Sequence, residues 1–141
     1  MKDLSDAFIQ AIVAARTAYF SAHNGHNYIK GPCFFADHAF LNESYDALLD
    51  AYDRLVEMAK WHKLTFNLES LNAFAAQAVG QKKTPEDAKT IFEAVQHFEE
   101  QFQEALAELN KLGDLAVQNL CAGLAEDSNV RAGKIGRRLE T

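Results

Sequence analysis

The stretch HNGHNYIKGPCFFADHAFLNESYDALLDAYDRLVEMA, residues 23–59, decides how this chain is read. It joins two apolar-periodic runs across a single break, Gly31-Pro32. Proline cannot continue a helical hydrogen-bond ladder, so the break ends one helix and a second begins after it. Upstream, Leu4, Phe8, Ile12 and Tyr19 recur at helical spacing and predict a first helix over 4–28, with Asp3 or Ser5 as its cap. Downstream, Leu41, Tyr45, Leu48, Tyr52, Leu55 and Ala59 form one stripe and predict a second helix over 35–61.

Beyond residue 61 the pattern stays helical. Asn67, Ser70 and Gly80 punctuate the stretch 64–80, and SLNAFAAQA within it reads as a short helix lying across the others. Thr84-Pro85-Glu86-Asp87 is a start signal, with Thr84 as cap, Pro85 at the first helical position and Asp87 closing a loose capping box. The next helix carries Ile91, Val95, Phe98, Phe102, Leu106 and Leu109, and Gly113 is placed to end it. Asp114 opens a last helix with Leu115, Leu120, Leu124 and Ile135 as apolar positions. Gly123, Gly133 and Gly136 weaken it, each costing up to about 1 kcal/mol in a helix interior. No run alternates with period two for long. The expected fold is therefore all-α. It is one domain over 1–141, a four-helix bundle with a short extra helix in a long crossover between helices two and three, which is the ferritin-like topology.

Composition narrows the function. A chain of 141 residues, 48% hydrophobic and 24% charged, can bury a core without cross-links. Cys33 and Cys121 lie far apart and form no CxxC pair, which fits a reducing compartment and small packing roles. No leader pattern opens the sequence, and no apolar run approaches the roughly 20 residues of a membrane span. A cytoplasmic protein with no membrane contact is expected. The formal net charge of −6 argues against nucleic-acid binding. The one basic cluster, Arg131, Lys134, Arg137 and Arg138, reads as complementing the C-terminal end of the last helix dipole.

Three of the five histidines, His23, His26 and His38, gather around the junction of the first two helices. Asp53 and Glu57 lie four apart further along the second helix. Imidazole with carboxylate suits Fe(II), and also Zn(II) or Mn(II). At 1.5 Å per residue, His38 and Asp53 stand about 22 Å apart on one helix and cannot hold one ion within a single chain. Two such helices packed antiparallel could bring His38 of one chain to Asp53 of another, so a shared site requires at least a two-fold dimer. The acids Asp46, Asp50, Asp53 and Glu57 repeat at three- and four-residue spacing and repel one another. A bound cation would relieve that repulsion; the plainer reading is a solvated face. His62 and His97 read as structural, and His23 as a structural residue, a supporting partner or a further metal ligand. Tyr45, Tyr52 and Trp61 read as core or interface packing.

With these residues in place, the segment 23–59 resembles the signature of the Dps proteins, the bacterial mini-ferritins. His23, His26, Lys30-Gly31-Pro32, Phe34-Phe35, His38, Tyr45-Asp46, Asp53 and Glu57 match its pattern without a gap. The match thins after Ala59, although the short crossing helix and the corner at Lys111-Leu112-Gly113-Asp114 have counterparts. The resemblance implies a ferroxidase site with His26 and His38 from one subunit and Asp53 and Glu57 from its two-fold partner. It implies a twelve-subunit hollow shell that oxidises Fe(II), preferably with hydrogen peroxide, and stores ferric mineral. Two departures bear on the site. Asn42, a neutral and weaker ligand, stands where the family has a carboxylate ligand, and Asn27 where it has a tryptophan beside the site. A protein that keeps the fold and binds metal with impaired turnover is the alternative that Asn42 favours. DNA compaction ranks below both, because Lys2 is the sole basic residue before Arg16.

Overall fold

The computed structural model describes residues 3–80 and 87–140. Five helices follow in order: α1 (Leu4–Tyr28), α2 (Phe34–Trp61), α3 (Leu68–Gly80), α4 (Ala88–Leu112) and α5 (Leu115–Leu139). The four long ones form a bundle in which α1 packs on α2 and α4, and α5 packs chiefly on α4. The short α3 lies across α1. The bundle with a helical crossover agrees with the sequence expectation.

Aspartates start three of the long helices. Asp3 accepts from the Asp6 N–H (2.8 Å), Asp87 from Thr90 (2.7 Å) and Asp114 from Val117 (3.0 Å). Each satisfies an orphan donor and places negative charge at the positive end of a helix dipole. Asp3, not Ser5, is thus the first cap, and Asp87 itself caps α4. The expected start at Thr84-Pro85-Glu86 lies outside the described residues. The second helix has no side-chain cap. It begins one residue early, at Phe34, after a turn in which Gly31 takes φ +115° and its carbonyl accepts from the Phe34 N–H. Only glycine adopts that backbone without strain.

Fully buried Phe8, Ile12, Leu41, Leu55, Phe92 and Phe102 fill the centre of the bundle. Each contributes about 1.5–3 kcal/mol by leaving water. The close approach of α1 comes from a seam the apolar stripe does not reveal. Ala7, Ala11, Ala15, Ala18, Ala22 and Gly25 recur at three- and four-residue steps and are all buried. Small side chains on that seam let neighbouring helices pack against the α1 backbone.

The last helix runs without interruption through Gly123, Gly133 and Gly136. Packing of Leu120, Leu124 and Ile135 outweighs the low propensity of those glycines. Leu115, expected in the core, is instead 81% exposed. The basic cluster also differs from expectation. Arg131 pairs with Glu99, a residue with no solvent exposure, which also accepts from Ser128 Oγ at 2.7 Å. Arg138 makes a bidentate pair with buried Asp37, both bonds at 2.9 Å, tying the end of α5 to the start of α2. Two of the four cations therefore neutralise buried acids rather than simply decorate a helix end.

At the other end of the bundle, His62 bridges the Met58 carbonyl (2.9 Å) and Asp114 (2.9 Å). The bond to Asp114, helped by that carbonyl, raises the His62 pKa above its ordinary 6.5. The Val117 N–H, then His62, lowers Asp114 below its ordinary 3.8. The contribution of His62 is complete below pH 6.5 and fades as pH rises through its elevated value. That of Asp114 is complete above 3.8 and fades as pH falls through its depressed value. The stabilisation by the pair is therefore greatest between these two ordinary values.

Both kinds of pairing are measurable. His62→Gln lowers the melting temperature more at about pH 5.5 than at about pH 8.5, a difference read by calorimetry. Arg131→Leu, which strands the Glu99 charge, costs about 3 kcal/mol in urea unfolding, and adding Glu99→Leu restores most of it.

Candidate metal centre

The turn at Gly31-Pro32 folds the start of α2 back on the end of α1 and brings His26 and His38 together. Their ring centroids are 3.8 Å apart. Gly25, one residue before His26, faces both α4 and α2. A Cβ there would lie 2.8 Å from Ile91 Cγ2 on α4, so a larger residue would push this end of α1 outward. Aromatic rings enclose the pair. Phe34 stacks on His38 at 4.9 Å, Tyr45 stands edge-on to His26 at 5.2 Å, and His23 lies 4.6 Å from Tyr45 and 6.4 Å from His26.

Burial, then the neighbouring His38, lowers the His26 pKa. The ring therefore favours its neutral form, the form that ligates metal. His26 Nδ1 is out of reach of water and has no hydrogen-bond partner among the described residues. Buried polar atoms are ordinarily satisfied, and a cation is one species that would satisfy this one.

Asn42 is already engaged. Its amide oxygen accepts from the Tyr45 hydroxyl at 2.7 Å, and its amide nitrogen donates to Asp46 at 3.4 Å. Asp53 and Glu57 lie exposed on α2, well away from the imidazoles. Asp46 and Asp50 are exposed as well, so within one chain the acidic run is a solvated face. Among the described residues no three His, Cys, Asp or Glu side chains converge as a metal cage in a single chain. The structure thus assembles the histidine half of the candidate site and leaves the carboxylate half at the far end of the same helix.

Of the remaining candidates, His97 is exposed and stacks edge-on to Phe98, while His62 serves the ion pair described above. Cys33 is exposed rather than packed, whereas Cys121 is buried and its thiol pKa is pushed up to about 11. Tyr52 is buried, with the Arg16 guanidinium over its ring at 4.9 Å. Phe34, Tyr45 and Gly25 support the imidazole pair, a role that the sequence reading does not give them. Tyr45 carries a usable signal, since it lies three residues after Asn42 and seven after His38 on one helix.

Comparison with known proteins bears on the fold. Neither a protein-family model nor a curated protein sequence matches the chain. Solved structures do. Dps from Staphylococcus aureus superposes with a TM-score of 0.81 at 18% identity, covering 96% of this chain and 94% of that one. CAIP from Helicobacter cinaedi superposes with a TM-score of 0.64 at 21% identity, covering 97% and 94%. The chain therefore has the ferritin-like helical bundle of Dps, and the likeness extends over nearly its whole length.

The clearance at Gly25 can be tested directly. Gly25→Leu overpacks the contact with Ile91 and Leu41 and lowers stability by about 2 kcal/mol in urea unfolding, whereas Asn24→Ala, at the exposed neighbouring position, changes it little.

Proposed function

We propose that this protein oxidises Fe(II) at a site shared between two chains and holds the ferric product. His26 and His38 supply nitrogens from one subunit. Asp53 and Glu57 supply carboxylates from the other. The observation that carries the reading is the preformed imidazole pair, 3.8 Å between ring centroids, with a buried nitrogen that no described protein group satisfies. Nitrogen and carboxylate ligands suit Fe(II), with Zn(II) or Mn(II) as competitors. Carboxylates, as hard anions, favour Fe(III) over Fe(II) and so lower the barrier to oxidation by oxygen or peroxide.

Completion of the site needs a second copy with its α2 antiparallel to the first. That requirement and the likeness to Dps structures support a homo-oligomer built on two-fold dimers, with a dodecamer as its closed form. The acidic net charge and the exposed acids along α2 draw cations toward the contact. No described helix is long and apolar enough to cross a membrane, which fits the cytoplasmic setting proposed here.

A second reading rests on Asn42. Its oxygen is a neutral donor and already accepts from Tyr45, so it offers little to a second metal ion. A protein that binds one iron and turns over slowly is the outcome this favours. DNA binding gains nothing from the structure, because Arg131 and Arg138 are committed to buried acids.

Both readings are tested by Fe(II) oxidation followed by absorbance. The wild type oxidises Fe(II) faster than His38→Ala by about 100-fold, the scale expected on disturbing the ligand environment of a metal. Equal rates refute the ferroxidase reading. Asn42→Asp restores an anionic ligand and raises the rate, and an unchanged rate shows that the second metal position plays no part.

A further inference from the structure

The outer face of α2 carries a stripe that the bundle leaves uncovered. Phe35, Asn42, Asp46, Asp53, Glu57 and Lys60 recur at three-, four- and seven-residue steps, so they share one side of the helix. Phe35 at its start is 89% exposed, and Trp61 beside its end is 80% exposed. Large aromatics left in water at both ends of one helix face mark a contact surface.

Beside the far end of the stripe is a groove of about 300 Å³ between α2 and α5, lined by Arg54, Glu57, Met58, Trp61, Ala116 and Leu120. Its α2 lining runs from residue 54 to residue 61, centred near Glu57 and Met58.

The shared site fixes how two copies of α2 must slide. Resting on that reading, His38 of one chain lies level with the middle of the Asp53–Glu57 pair of the other. Two antiparallel helices in that register place each residue opposite the one that brings the two numbers to a total of about 93. Phe35 then faces the partner's Met58, at the centre of the groove. Trp61 faces the turn at the partner's Pro32. Arg54, exposed and without an ion pair among the described residues of its own chain, comes about 6 Å along the axis from the partner's Glu43, which is also exposed and within reach of a long side chain. Charge and shape therefore agree on the same register.

We propose that Phe35 of each subunit docks in the α2–α5 groove of a second copy, against the partner's Trp61. The contact occurs twice by symmetry. It locks the sliding position that carries the carboxylates to the imidazoles, and it places apolar rings between the metal site and bulk water at that end. Phe35 acts here as a positioning residue, because it touches no metal.

Trp61 is the chain's one tryptophan, so its fluorescence reports the contact without added label. The experiment measures acrylamide quenching of Trp61 in the assembled wild type, in Phe35→Leu and in Phe35→Glu, with size checked by light scattering and folding by circular dichroism. Position 35 is solvent-exposed in the isolated chain, so both variants keep the helical bundle. Shielded Trp61 in the wild type and Phe35→Leu, with several-fold stronger quenching in Phe35→Glu, is the expected result. Loss of this apolar anchor also weakens the two-fold contact by about 30-fold or more. A wild-type monomer overturns the proposal, as does a Trp61 quenched equally in wild type and Phe35→Glu. The outcome is independent of iron. A shielded Trp61 in a protein whose iron oxidation ignores His38→Ala would sink the ferroxidase reading and leave the docking intact.

Discussion

A straight α-helix cannot bring its own ends together, and that constraint governs the functional account. The imidazole pair joins the end of α1 to the start of α2, and along α2 the carboxylates begin about 22 Å beyond His38. Bending the helix is excluded by the packing of Leu41, Leu48 and Leu55, all fully buried along its inner face. The chain therefore builds two half-sites at fixed separation. On the reading proposed here, a two-fold axis turns that separation from an obstacle into a register, since each half finds its complement on the other copy. The same geometry leaves acids and aromatics exposed in the single chain, where alone they would only repel or seek cover.

Rigidity of the half-site has identifiable sources. The turn at Gly31 reverses the chain, and the small-residue seam on α1 lets α2 and α4 approach it closely. Asp37 and Arg138 pin the first turn of α2 to the last turns of α5, one residue from His38. A buried ion pair is weak evidence for net stability, but it penalises any alternative packing that strands either charge. The position of His38 is thus over-determined by backbone, packing and charge together.

Much of this was legible in the sequence because helical periodicity is strong and the breaks are sharp. The bounds expected for α1 are those observed, and α2 differs by one residue at Phe34. The gathering of His23, His26 and His38 at one helix junction followed from spacing and a proline break, and the pairing of His26 with His38 from the resemblance to Dps proteins. What escaped the sequence was decided by tertiary contacts. The C-terminal arginines read as surface charge because nothing local reveals that Glu99 and Asp37 are buried opposite them. The glycines of α5 suggested a weakened helix, since propensity does not register the burial of Leu124 and Ile135. Leu115 looked like core because it is large and apolar, yet its five-residue step to Leu120 puts it on the opposite side of α5 from Leu124 and Ile135, where it stays in water. Phe34 and Tyr45 gained their meaning only once both helix ends were placed in space.

The central claim is that one working site takes ligands from two chains. It is tested most directly by co-assembling His38→Ala with Asp53→Ala subunits and measuring Fe(II) oxidation. Each variant alone spoils every site. In a mixed dimer, one site loses both contributions and the other keeps all four ligands. Random mixing of equal amounts therefore returns about a quarter of the wild-type rate. A mixture as inactive as either variant alone would contradict the shared site.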